Sequence, residues 1–152
     1  MHGIILGIAA LIGLAVWANN GGKKIFVTYD YENDKHYKNL LVAWAQNANF
    51  DLSFHDKSVD VSVQSDDLGT IRRVVSARIR ESSIFLCIVG KETWKSDWVT
   101  WEIEKARELG KPLVAIKTAK SNKAPAALAG AKASWALAFK FDSIKKAVEA
   151  AG

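Results

Sequence analysis

The sequence predicts an open α/β fold, a parallel five-stranded sheet in the flavodoxin-like order 2-1-3-4-5 flanked by helices. Three observations carry that prediction. Two wholly apolar runs, Ile84–Val89 and Leu113–Ile116, flank a helical pattern at Thr93–Leu109, as expected of a βαβ unit in a buried parallel sheet. Near the start of the polar part of the chain, Ile25–Tyr29 is β-branched and aromatic, and the helical stripe Tyr37, Leu40, Leu41, Trp44, Ala48 follows it. The alternation then continues to the C-terminus, and right-handed crossovers leave few arrangements for such a chain.

Taken in order, the chain opens with GIILGIAALIGLAVWA, Gly3 to Ala18, which carries no charge. As a helix it spans roughly 24 Å, slightly short of a bilayer's hydrocarbon core. No Lys or Arg precedes it, whereas Lys23 and Lys24 follow the Asn19–Gly22 linker. That asymmetry predicts a single-pass membrane helix and linker in residues 1–22, with a cytoplasmic domain from 23 to 152. A cleaved signal peptide is the rival reading, against which stands the missing basic n-region. Beyond the first strand, Asp30–Asp34 reads as a polar loop. Phe50–His55 alternates with period two and reads as a half-exposed second strand. The polar connection Asp56–Asp66 is long for this class, and long loops are often binding loops.

Leu68, Ile71, Val75 and Ile79 mark the next helix, whose outer face carries Arg72, Arg73, Arg78 and Arg80. A solvated basic face accounts for these arginines, and only Arg72 or Arg73 stands near the strand ends where a phosphate would sit. Lys117–Lys132 reads as irregular with one short helical turn. Ser134–Phe139 reads as the fifth strand and Phe141–Ala151 as a closing helix capped by Asp142 or Ser143.

Composition bounds the function. At 152 residues and 49% hydrophobic, the chain allows one ordinary domain plus a tail. A net charge of +5 without a dense basic tract admits a phosphate-bearing small molecule or an anionic membrane surface, and gives no support to a nucleic-acid partner. The single Cys87 lies in an apolar strand and reads as a core residue. His2, His36 and His55 are scattered, so no metal-ligand spacing exists. The chain has no GxGxxG, GxxxxGK[ST] or GxSxG, which removes the usual dinucleotide fingerprint, P-loop and hydrolase elbow.

The helix at Thr93–Leu109 holds the most informative residue. Ser96 suits the N-cap, Asp97 the positive helix start, and Gly110 with Pro112 the stop. Val99, Ile103 and Ala106 face the sheet, while Glu104, Arg107 and Glu108 fall toward solvent. Glu102 falls about 60° from the centre of the apolar face, one turn beyond Trp98. A carboxylate there has either its head in water or a raised pKa and a ligand to meet. Ligands of open α/β sheets bind beyond the carboxyl ends of the strands. That crevice would gather Tyr29–Asp30, the Asp56–Asp66 loop, the Gly90–Ser96 loop and the start of the Glu102 helix.

The stretches KIFVTYD (Lys24–Asp30), S-x-W-V-x-x-E-I (Ser96–Ile103) and GKPLV (Gly110–Val114) resemble the Toll/interleukin-receptor (TIR) fold, most closely the bacterial TIR-like group that includes the Thoeris antiphage component ThsB. The resemblance covers about Lys23 to Ala151. It implies cleavage of NAD at the nicotinamide–ribose bond as a defence signal, with Glu102 catalytic and NAD a substrate, so that no cofactor or metal is needed. On this resemblance Trp98 shapes the pocket and other TIR domains are partners. The chemistry of NAD cleavage asks for an aromatic pocket, which Tyr29, Tyr31, Trp94 or Trp98 can supply. It also asks for diphosphate donors from loop amides or one of Arg72 and Arg73, of which Arg72 is preferred, with Asp30 a substrate contact at the crevice. The bilayer is the partner implied by the apolar run alone. The Asp56–Asp66 segment takes the place of the loop that closes over nucleotide. It lacks the Gly-Pro character common in animal receptors, and a membrane helix departs from the usual ThsB chain. A non-enzymatic, membrane-tethered adaptor is the alternative.

Overall fold

The structure is a computed structural model that describes residues 14–18, 24–45, 54–55 and 67–151. Its elements in chain order are β1 (Leu14–Ala18), β2 (Lys24–Thr28), α1 (Tyr31–Ala45), β3 (Phe54–His55), α2 (Leu68–Glu81), β4 (Ile84–Val89), α3 (Asp97–Glu108), β5 (Leu113–Lys117), β6 (Ser134–Ala136) and α4 (Phe141–Ala151). Short 3-10 turns lie at Thr93–Lys95 and Ala126–Leu128. The strands form one sheet in the order β3-β1-β2-β4-β5-β6. β2, β4, β5 and β6 run parallel, whereas β1 is antiparallel to both β2 and β3.

Burial follows hydrophobicity. All six residues of β4 are buried, as a central parallel strand covered on both faces requires. Strand alternation sorts the core into two layers. On one face Phe26, Phe85, Cys87 and Ala115 meet Ile71, Val75 and Ile79 of α2 and Val99, Ile103 and Ala106 of α3. On the other, Ile25, Val27, Leu86, Ile88, Val114 and Ile116 meet Leu41 of α1 and Ile144, Ala147 and Val148 of α4. The chain leaving β2 therefore covers one face and the chain leaving β4 the opposite one. That divergence opens a crevice at the carboxyl ends of β2 and β4, the usual ligand position in such sheets.

Caps explain the element boundaries near this crevice. Asp67 caps α2 by accepting from the Gly69 amide at 3.1 Å. Ser96 caps α3 by accepting from the Val99 amide at 3.1 Å. At the other end of α3, the Gly110 amide reaches the Arg107 carbonyl and the Lys111 amide the Ala106 carbonyl, both at 3.0 Å. Gly110 has φ 70°; this is the left-handed helix stop that favours glycine.

Several expectations are corrected. Among the described residues the sheet is mixed and six-stranded. The five anticipated strands keep their relative order, but β1 stands between the second and the first. Leu14–Ala18, the end of the predicted membrane helix, is that strand, with Leu14 paired to Val27 and Val16 to Ile25. No helix among the described residues is long and apolar enough to cross a membrane. The remainder of the Gly3–Ala18 run, the Asn19–Gly22 linker and the Asp56–Asp66 loop lie outside the described residues. The polar stretch after Asp30 is the first turn of α1, because Asp30 works as its cap. Of Phe50–His55, Phe54 and His55 are described, as strand. The last helix starts at Phe141, ahead of both proposed caps.

Candidate active site

The centre of the site is Glu102, and its depth is the main departure from expectation. It lies not at the edge of α3's apolar face but within it, at 0% exposure alongside Val99, Ile103 and Ala106. The Thr28 hydroxyl, at the carboxyl end of β2, donates to Glu102 Oε1. The opposite oxygen, Oε2, is buried without a hydrogen-bond partner, as is the Trp98 indole Nε1. Desolvation pushes the Glu102 pKa up to about 8, against smaller lowering effects of the Thr28 hydroxyl and the Trp98 indole. The indole N–H therefore stands close enough to stabilise the carboxylate while lying outside hydrogen-bond geometry. At neutral pH this carboxyl is mostly protonated.

Cys87, paired in register with Thr28, lies between two acidic groups. Burial first, then the charges of Glu102 and Asp34, push its thiol far up; it is inert. Asp34, on α1, is the second buried acid of the crevice at 4% exposure. Its pKa is raised by desolvation and then by the Asp30 charge. The Thr93 hydroxyl donates to Asp34 Oδ2 at 3.3 Å and accepts from the Gly90 amide at 2.8 Å. A Cβ on Gly90 would collide with the Asp34 carboxylate, so glycine is required for close approach rather than for its dihedral freedom. Asp34, His36, Tyr37, Lys95 and Thr118 help to line a pocket of about 650 Å³ on this side of the crevice.

The remaining anticipated residues take different places. Trp98 is where the sequence put it, beside Glu102 and packed against both core layers. It stacks on Trp101, ring centroids 5.0 Å apart, and Arg72 stands over Trp101 at 5.4 Å. Glu102, Trp98 and Arg72 are thus brought together, through Trp101. Tyr29 is buried in the α1-side core, 6.2 Å from the Tyr31 ring. The Asp30 carboxylate is engaged as the α1 cap, accepting from the Glu32 amide at 3.2 Å and the Asn33 side chain at 2.7 Å. Trp94 is exposed under the Lys123 ammonium at 4.3 Å.

Thr28, Asp34, Thr93 and Trp101 were not singled out in the sequence. Strand parity was a usable signal for Thr28, since it shares a face with Phe26. The spacing of Trp98 and Trp101, three apart on one helix, was a signal for their stack. Asp34 and Thr93 are 59 residues apart, and nothing local pairs them.

Residues 26–123 match the family model of the Thoeris protein ThsB, TIR-like domain. The match spans nearly two thirds of the chain and includes every residue of the site described above. No curated protein matches the chain at a significant level. With Thr28, Arg72, Trp98, Trp101 and Glu102 all inside the matched span, the chain belongs to the family of Thoeris ThsB TIR-like domains.

Proposed function

We propose that this domain cleaves NAD at the nicotinamide–ribose bond in antiphage defence, with Glu102 as the catalytic carboxylate. The observation that carries the reading is a fully buried glutamate beside an indole at the carboxyl end of the central strands, in a chain of this family. Nicotinamide in NAD is a cationic leaving group. It departs with the bonding electron pair as a neutral amide and leaves an oxocarbenium centre on the ribose. An ionised Glu102 stabilises that positive charge inside a low-dielectric pocket. Water then adds to the ribose carbon and releases a proton, giving ADP-ribose. A nucleophile within the same molecule gives a cyclic product instead, and a second molecule a conjugate.

Indoles bind cationic rings, so Trp98 serves the departing nicotinamide. The exposed Arg72 serves the diphosphate, through in-plane N–H donors that an aromatic contact on its face leaves free. Tyr29, Asp30, Tyr31 and Trp94 remain proposed substrate contacts, Tyr29 and Asp30 through the backbone at the β2 end. Homotypic assembly with other TIR domains completes the proposal.

The test compares three glutamates of one helix by nicotinamide release from NAD. Glu102→Gln should lower turnover at least a hundredfold, roughly 3 kcal/mol of transition-state stabilisation. Glu104→Gln and Glu108→Gln, both on the solvent side, should leave it within twofold. Equal turnover in all three removes Glu102 from the chemistry. One observation favours the second reading, a non-enzymatic adaptor: the Thr28–Glu102 contact is buried, as a structural carboxyl would be. Loss of homotypic binding in Glu102→Gln, with no nicotinamide released by the wild type, supports that reading.

A further inference from the structure

Trp101 precedes Glu102 on α3 and ties the surroundings of its carboxyl group together. Its ring lies 5.0 Å from Trp98 at an interplanar angle of 30°. Arg72, from α2, stands over it at 5.4 Å and Lys105, from the next turn of α3, at 6.0 Å. Aromatic stacking and cation–π attraction both favour this order, with the positive charges on the outside. Inside it, Trp98 Nε1 and Glu102 Oε2 are a donor and an acceptor that are buried without partners. Buried polar atoms ordinarily find each other. An indole free to turn would donate to the carboxyl oxygen. One backed by a second ring, itself weighted by a guanidinium and an ammonium, is held in its plane.

We propose that Trp101 is a positioning residue: stacked on Trp98 and clamped by Arg72, it holds the Trp98 indole in place beside Glu102 and keeps that carboxyl dry. It also fixes the distance between the arginine that meets the diphosphate and the carboxylate that meets the ribose. The proposal rests on the reading of Glu102 as the catalytic carboxylate. Among the described residues, the other charged or titratable groups around Glu102 are Cys87 on β4, Asp34 beyond it on α1, and Arg72 and Lys105 outside the indole pair. The Cys87 thiol stays protonated throughout the working range, and Asp34 titrates in every variant alike.

The experiment uses the full chain as wild type, Trp101→Ala, Trp101→Phe, Arg72→Ala and Glu102→Gln, each checked for fold by circular dichroism. The first readout is the pH dependence of tryptophan fluorescence, taken as the difference from Glu102→Gln so that it reports the Glu102 carboxyl. The second is steady-state nicotinamide release from NAD. Trp101→Ala admits water to Glu102, so its fluorescence midpoint should move to lower pH by about one unit and kcat should fall at least tenfold. Trp101→Phe keeps a ring in the stack and should retain both. Arg72→Ala should raise KM more than it lowers kcat. A wild-type midpoint and kcat in Trp101→Ala overturns the proposal, as does a Trp101→Phe variant as damaged as Trp101→Ala. If even the wild type releases no nicotinamide, the fluorescence arm alone decides: a shifted midpoint upholds the positioning role while the catalytic reading falls.

Discussion

Replacing Glu102 with Gln should flatten the pH dependence of stability, by an amount that follows from the burial of this one carboxyl. Its ordinary value is 4.5, and burial raises it to about 8 in the folded chain. The folded state therefore holds the proton more tightly than the unfolded one. Stability from this group is full below pH 4.5, falls as pH rises through the interval, and levels off above about 8. Each pH unit inside the interval is worth about 1.4 kcal/mol. Between pH 5.5 and 8.5 the loss comes to about 3 kcal/mol, against a total stability on the order of 5–15 kcal/mol. Urea unfolding followed by tryptophan fluorescence at pH 5.5, 7 and 8.5 measures it. The wild-type midpoint should fall by about 1–3 M across that range beyond any change in the variant, for ordinary slopes of urea dependence. Asp34, raised in the same direction, contributes to both proteins and drops out of the difference. Parallel pH profiles for wild type and Glu102→Gln would refute the reasoning, because they would mean that the carboxyl is hydrated in solution.

On the proposed function, the same titration would govern activity. Under the proposed mechanism catalysis needs the ionised form, so kcat/KM for nicotinamide release should climb with pH to a plateau, with an apparent pKa of about 8; a flat profile from pH 6 to 9 contradicts the proposed role of the carboxylate. Gly90→Ala forces the Asp34 carboxylate off Gly90 and should cost about 1–3 kcal/mol, read as a lower urea midpoint. Ser96→Ala deletes the cap of α3 and should cost about 1 kcal/mol while moving the start of the helix that carries Trp98 and Glu102. Membrane attachment through residues 3–18 is a separate proposal resting on the apolar run. Leu14–Ala18 cannot pair with β2 and cross a bilayer at once, so recovery of the full chain in the carbonate-soluble fraction would favour the strand.

Local sequence determined a good deal of this protein. The apolar runs became β4 and β5 because a strand covered on both faces has no polar positions to spare. Ser96, Gly110 and the Val99–Ile103–Ala106 stripe placed α3 to within a residue or two, since caps and helical periodicity act over only a few residues. Glu102 and Trp98 stood out for the same reason, as a charge and an indole on an otherwise apolar face. What tertiary structure alone decided was how those local facts were used. Glu102 reads as a residue at the margin of a helix until Thr28, 74 residues earlier, meets it from β2 and closes it from water. Asp34 reads as a loop acid until Gly90 and Thr93, from beyond β4, make a seat for it. The apolar segment before β2 satisfies a membrane helix and a strand equally well in composition. Hydrogen bonds to β2 and β3 are what select the strand, and backbone pairing between distant segments leaves no local mark in a sequence.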